Sequence, residues 1–329
     1  MKFATFTTDG VETPGVVHED CVFPIGTADS VLDLVRAGLP AALEAGRAAI
    51  AAGAGVPLAG VTLRAPIPQP PTVRDFVAFE EHVDGVVRAV QGTAGVPDAW
   101  YEAPRFYFTN PYAIHGPGDF VQTPSGCTEL DFELEVAAVV GLEGADLDPE
   151  TAEGHIFGYT ILNDWSARDL QRREMQMNLG PAKGKDFATT LGPWIVTPDE
   201  LDSYRDPEGF LRLECSVAVN GEQVGHDVLS NMGWTFGAMV AYASRETWVR
   251  PGDVLGSGTV GNGGCLAELW GRRGEQTPPP LREGDTVTLT VQGLGSVTNT
   301  VIASVATPDV PPARRLDHAA ERTRAVSIP

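Results

Sequence analysis

The segment Leu130-Asp131-Phe132-Glu133-Leu134-Glu135-Val136-Ala137-Ala138-Val139-Val140 sets two carboxylates two residues apart in an otherwise apolar run. Side chains at i and i+2 of a strand share a face, so Glu133 and Glu135 look the same way while Phe132, Leu134 and Val136 fill the other. Burying such a pair costs several kcal/mol unless positive charge compensates, and a divalent cation is a compact source of it. A half-exposed strand with a solvated acidic face is the other arrangement the pattern allows. A second group stands in Asn163-Asp164-Trp165-Ser166-Ala167-Arg168-Asp169-Leu170-Gln171. There Asp164, Arg168 and Gln171 sit at i, i+4 and i+7, one polar stripe within about 40° on a helical wheel. An ordinary helix surface with an i,i+4 ion pair has the same spacing. The apolar Tyr159-Thr160-Ile161-Leu162 ahead of it reads as a buried strand that delivers Asp164 to its C-terminal end, where binding groups commonly stand.

These groups need elements to hold them. Strands are expected over 129–141, 155–163, 211–220 and 286–291, and helices over 80–91, 164–176 and 234–244. Residues 1–71 read as a small N-terminal unit whose stretch 28–52 is helical in tendency, interrupted by Gly38, Pro40 and Gly46. Ala65-Pro66-Ile67-Pro68-Gln69-Pro70-Pro71 reads as a stiff linker to a larger unit over 72–306, and residues 307–329 read as a tail. With 329 residues, 43% of them hydrophobic, the chain can bury a sizeable core. The 23 Lys and Arg against 44 Asp and Glu, a formal charge of −21, leave no basic patch for a phosphate backbone, which excludes nucleic acid as a partner class. No apolar run reaches the ~20 residues that span a bilayer, and Met1-Lys2-Phe3-Ala4-Thr5 lacks the apolar centre of a signal peptide, so the expected location is cytoplasmic, away from membranes. Cys21, Cys127, Cys215 and Cys265 show no CxxC spacing; they are expected to be buried thiols rather than zinc ligands or disulfides.

The run Asp131-Phe132-Glu133-Leu134-Glu135, followed by Asn163-Asp164-Trp165-Ser166-Ala167-Arg168-Asp169, resembles the fumarylacetoacetate hydrolase family. The resemblance spans about 72–300 and takes in Gly184-Lys185-Asp186-Phe187-Ala188-Thr189-Thr190, Gly256-Ser257-Gly258-Thr259-Val260 and Glu268-Leu269-Trp270. It implies an α+β, strand-rich fold: a mixed β-roll or sandwich domain with a small N-terminal αβ domain, paired as a homodimer. It makes Glu133, Glu135 and Asp164 metal ligands, adds Asp75 from Arg74-Asp75-Phe76, and puts the Thr189 hydroxyl near the metal. Oxygen donors of this kind select Mg²⁺, Ca²⁺ or Mn²⁺ over zinc or copper. His82, seven residues after Asp75, matches the family's general base and Glu268 the carboxylate that orients it. Lys185, or Lys183 if the preceding loop is counted differently, matches the family's lysine, and Arg168 and Gln171 accompany it. Thr259 and Tyr107 match substrate contacts, and Arg88 stands in for a carboxylate-reading arginine.

The implied reaction is hydrolytic cleavage of a C–C bond in a 1,3-dioxo acid, an acylpyruvate or a fumarylacetoacetate-like compound. The alternative within the family is a metal-dependent decarboxylase, tautomerase or isomerase of 2-oxo dicarboxylates. A non-catalytic small-molecule binding protein would need the carboxylates but neither His82 nor Glu268. Val77 and Met175 replace tyrosines of the eukaryotic fumarylacetoacetate hydrolases, which points to a compact dioxo acid rather than fumarylacetoacetate itself.

Overall fold

The computed structural model describes residues 1–8, 10–91 and 95–314. The described chain is strand-rich and mixed. Its largest sheet has twelve strands, and a path of ten runs Val56–Pro57, Cys21–Pro24, Val11–His18, Lys2–Thr8, Thr189–Val196, Ile156–Asp164, Leu134–Val140, Val254–Gly256, Val73–Phe76 and Phe106–Thr109. A five-stranded sheet, Glu222–Val228, Glu214–Val219, Thr286–Val291, Gly295–Ile302 and Phe120–Gln122, is the other large one.

Leu134–Val140 shows why the centre of the large sheet is dry. Leu134, Val136, Ala138 and Val140 pack into the core cluster that contains Phe132, Trp165 and Trp270. Ala137 and Val139 point the other way, into a second cluster with Phe3, Val16, Phe157 and the helix residues Leu34 and Val35. The strand is buried on both faces, so the acidic face is not solvated. It is also shorter than expected: Leu130–Asp131 forms a separate bridge with Ser166–Ala167, and Phe132 and Glu133 lie between the two.

The N-terminal region belongs to this same sheet, since Phe3 pairs with Ile195 and Lys2 with Val196. The boundary drawn at residue 71 therefore does not interrupt the sheet. Nor does 65–71 behave as a linker in solvent: Ala65 and Ile67 are buried in the second cluster, and Pro66 O accepts a 2.8 Å hydrogen bond from Thr5 Oγ1. The Ala/Leu-rich stretch is two helices, Val31–Ala37 and Leu39–Ala52, parted at Gly38 with φ 89°. Pro40 lies in the first turn of the second, where its missing N–H costs no bond. Gly46 stays inside that helix because a Cβ there would meet Met1 Sδ at 2.8 Å and the Phe3 ring at 3.5 Å. Among the described residues no helix is long and apolar enough to cross a membrane. Of the four cysteines, all free, Cys215 and Cys265 are buried while Cys21 and Cys127 are only partly so. The tail expected over 307–329 is irregular to Arg314, and its remainder lies outside the described residues.

Candidate metal centre and active site

Adjacent strands deliver the acidic residues to one end of the large sheet by register. Asp75 pairs with Tyr107 on one side and with Gly256 on the other, Ala137 pairs with Gly256, Glu135 with Leu162, and Asp164 with Thr189. Asp75, Glu133, Glu135 and Asp164, all buried, thereby place ligand oxygens within 4.8 Å of one another. Asp75 Oδ1, Glu135 Oε1 and Asp164 Oδ1 are buried without a hydrogen-bond partner. Orphaned carboxylate oxygens are expensive, so three at one point are the signature of a site shaped for a cation. Gly256 leaves the space open: a Cβ there would lie 2.5 Å from Asp75 Oδ1 and 2.8 Å from Glu135 Oε2. The residues present fit a hard divalent ion.

Two cations flank the cluster. Lys185 Nζ donates to Glu133 Oε2 at 2.6 Å and also to Asp164 Oδ2. Arg168 Nη2 lies 2.7 Å from Glu133 Oε1. Lys183 is exposed and pairs with Asp186, so Lys185 is the lysine of this site. Electrostatics divide the four acids. Burial, reinforced by neighbouring carboxylates, pushes Asp75 and Glu135 well above the usual range. Burial also raises Asp164, with Lys185 opposing. At Glu133 burial acts upward but Lys185 and Arg168 outweigh it and hold the group below its ordinary value. Lys185 is lowered by burial and raised more strongly by Asp164 and Glu133, so it stays charged. Tyr107 donates from its hydroxyl to Asp164 Oδ2 at 2.6 Å and leaves Oδ1 as the unpartnered oxygen.

Helix Glu80–Gln91 carries His82, and helix Leu266–Arg273 carries Glu268. The two helices touch at Gly85, where a Cβ would lie 2.5 Å from Glu268 Cγ. Arg272 Nη2, at 2.9 Å, and the Gly263 N–H, at 3.3 Å, hold Glu268 Oε1, leaving Oε2 unpartnered and 3.9 Å from His82 Nδ1. Cys265, read from the sequence only as a buried thiol, caps this helix by accepting from Glu268 N and lies 3.7 Å from His82 Nδ1. Burial is the main force that depresses His82 to about 4, so the imidazole is neutral at pH 7. Burial lifts Glu268 to about 7, against the pull of Arg272.

A cavity of about 390 Å³ is lined by Asp75, His82, Tyr107, Glu133, Arg168, Gln171, Lys185 and Thr259 among others. Thr189 is buried opposite Asp164. Arg88 stands elsewhere: it is exposed, pairs with Asp84 at 2.7 Å, and borders an adjoining cavity of about 490 Å³. Arg105, which the motifs did not single out, lines the carboxylate cavity instead. The expected helical stripe is also revised, because Asp164 ends strand Ile156–Asp164 and the helix begins only at Arg168. Arg168 and Gln171 remain together, with Arg168 Nη1 donating to Gln171 Oε1 at 3.1 Å.

A family profile described as fumarylacetoacetate (FAA) hydrolase, C-terminal, matches residues 72–302. The chain belongs to the fumarylacetoacetate hydrolase family. An oxaloacetate tautomerase of Bacillus subtilis (strain 168), YisK, is 31% identical over 245 residues, 74% of each protein. A fumarylacetoacetase of Arabidopsis thaliana is 34% identical over 266 residues, 65% of this chain and 63% of the plant protein. Among solved structures, the fumarylacetoacetate hydrolase EaFAH from Exiguobacterium antarcticum matches with a TM-score of 0.71 at 27% identity, over 92% of this chain and 99% of that one. Members of the family are thus enzymes that include both hydrolases and tautomerases.

Proposed function

We propose that this chain is a divalent-metal-dependent hydrolase that cleaves a C–C bond in a compact 2,4-dioxo acid, an acylpyruvate. The observation that carries the reading is that a neutral His82 lines one cavity of about 390 Å³ together with Asp75 and Glu133, two members of a buried cluster of four carboxylates. Asp75, Glu133, Glu135 and Asp164 would hold Mg²⁺, Mn²⁺ or Ca²⁺, with Thr189 beside them. When bound, the ion supplies Lewis-acid stabilisation of negative charge on the substrate's dicarbonyl oxygens.

The chain's own groups do the rest. His82 Nε2, as general base, takes a proton from water, and Glu268 Oε2 steadies the imidazolium that results. The hydroxide adds to carbon 4 of the dioxo acid, and the new oxyanion receives hydrogen bonds from Lys185, Arg168 and Gln171. The bond between carbons 3 and 4 then breaks. Its electron pair stays on carbon 3, which takes up a proton, giving pyruvate and a carboxylic acid. Tyr107 and Thr259 border the substrate.

Similarity to an oxaloacetate tautomerase favours a second reading, in which the same neutral His82 moves a proton between carbon 3 and solvent without adding water. The experiment is an ultraviolet assay of acylpyruvates and of oxaloacetate with added Mg²⁺ or Mn²⁺, followed by product analysis. Loss of the conjugated enol with stoichiometric pyruvate and acid supports hydrolysis. Keto–enol exchange of oxaloacetate with no bond cleavage overturns it in favour of tautomerisation. A preference of more than about tenfold for fumarylacetoacetate over acylpyruvates, roughly 1.4 kcal/mol, would overturn the compact substrate while leaving hydrolysis standing.

A further inference from the structure

Asp131 is fully buried and is not one of the four clustered carboxylates, and both of its oxygens are doubly occupied. Oδ1 accepts from its own neighbour Phe132 N and from Leu266 N, both at 2.8 Å. Oδ2 accepts from Ala267 N at 3.0 Å and from Arg168 Nε at 2.8 Å, with Arg168 Nη2 also 2.8 Å away. One carboxylate thus joins the start of the helix that carries Glu268, the strand end that leads to Glu133, and the guanidinium of Arg168.

Arg168 is tied to three side chains. Asp131 Oδ2 accepts from Nε at 2.8 Å, Nη2 forms ion pairs with Asp131 Oδ2 at 2.8 Å and Glu133 Oε1 at 2.7 Å, and Nη1 donates to Gln171 Oε1 at 3.1 Å. A guanidinium has five donors and no acceptor, so a glutamine facing it must turn its carbonyl oxygen inward. The glutamine nitrogen is then left on the side away from the arginine, and Gln171 borders the cavity. We propose that Asp131 is a positioning residue that, through Arg168, orients the amide of Gln171 so that its N–H groups serve as donors in the substrate cavity. This rests on the proposed reading of the site as one that stabilises an oxyanion. A buried ion pair is by itself weak support for stability, because apolar replacements often serve as well. What the Asp131–Arg168 pair supplies is direction: it removes the rotational freedom of the one group that decides which end of Gln171 faces the substrate.

The test compares the metal-loaded parent with Asp131→Asn, Gln171→Ala and the double variant. Asparagine keeps the shape but replaces one acceptor oxygen with a donor that repels Arg168 and the helix N–H groups. Expected are a fall in kcat of roughly 10- to 100-fold on an acylpyruvate, with KM and Mn²⁺ affinity by calorimetry within about twofold of the parent. Adding Asp131→Asn to Gln171→Ala should cost little more. Unchanged kcat with a lowered melting temperature would reduce Asp131 to a helix cap and overturn the proposal. So would a full loss persisting in the Gln171→Ala background, or a parallel loss of Mn²⁺ affinity.

If Asp131→Asn does not fold, Arg168→Lys keeps the Asp131 cap while removing the donor that faces Gln171. Because Arg168 is itself an oxyanion donor in the proposed reaction, the readout for this variant is the Gln171 amide rather than turnover. The side-chain amide resonances of Gln171, identified by their disappearance in Gln171→Ala, need no turnover. They should shift or broaden in Asp131→Asn or Arg168→Lys. Resonances identical to those of the parent would overturn the inference even if no acylpyruvate is cleaved, an outcome that would separately defeat the proposed reaction.

Discussion

Replacing Gly256 by alanine would set a methyl group 2.5 Å from Asp75 Oδ1 and 2.8 Å from Glu135 Oε2 without changing any charge. The backbone tolerates the change, since Gly256 is not among the glycines with positive φ. An ordinary carbon–oxygen contact is about 3.4 Å, so Asp75 Oδ1 must retreat by about 0.9 Å and Glu135 Oε2 by about 0.6 Å. Cation–oxygen distances tolerate only about 0.2 Å, so both carboxylates leave coordinating range. With two of four charged ligands displaced, the Kd for Mn²⁺ should rise by at least roughly 100-fold, about 2.7 kcal/mol. Calorimetry reads this directly. Thermal unfolding reads it again: metal at about 100 times the parent Kd should stabilise the parent by about 2.7 kcal/mol and the variant hardly at all. Gly154→Ala, where nothing lies within 4 Å of the added Cβ, is the matched control. A folded Gly256→Ala protein that binds Mn²⁺ with parental affinity would refute the placement of the ion between Asp75 and Glu135.

Three further outcomes follow from the same geometry. Because burial and neighbouring charge raise Asp75 and Glu135, protons compete there with an incoming dication; metal affinity should therefore tighten as pH rises, and calorimetry in buffers of different ionisation enthalpy should register proton release, with none detected counting against the assignment. His82→Ala should lower kcat by roughly 10²- to 10⁴-fold while leaving Mn²⁺ affinity within a few-fold, and unchanged turnover would remove His82 from the proton transfer. His82 is neutral above about 4, whereas Glu268, raised to about 7, loses its charge as pH falls through that value, so kcat/KM should drop on the acid side near pH 7; Glu268→Gln should have a lower maximum and lose that limb, and a limb that survives belongs to another group.

What was legible in the sequence was local. Glu133 and Glu135 share a face because strand geometry has period two. The helix Glu80–Gln91 and the strand Thr286–Val291 were marked by pattern alone, and the motifs at 131–135, 163–169 and 256–260 were enough to indicate the family. Tertiary structure decided the rest, because it depends on contacts between distant residues. Whether the acidic face is wet depends on the N-terminal strands and helices that cover Ala137 and Val139, and the sequence of 134–140 carries no sign of them. Asp164 ends a strand instead of starting a helix because it pairs with Thr189, a partner that helical spacing cannot reveal. Arg88 has the charge for a carboxylate but turns back to Asp84, while Lys185 reaches Glu133 across 52 positions of chain. Asp131 meets Arg168 and Ala267 at separations of 37 and 136 residues. Residue types set which chemistry is available; the register of adjacent strands and the helix contact at Gly85 set which of those groups face one point.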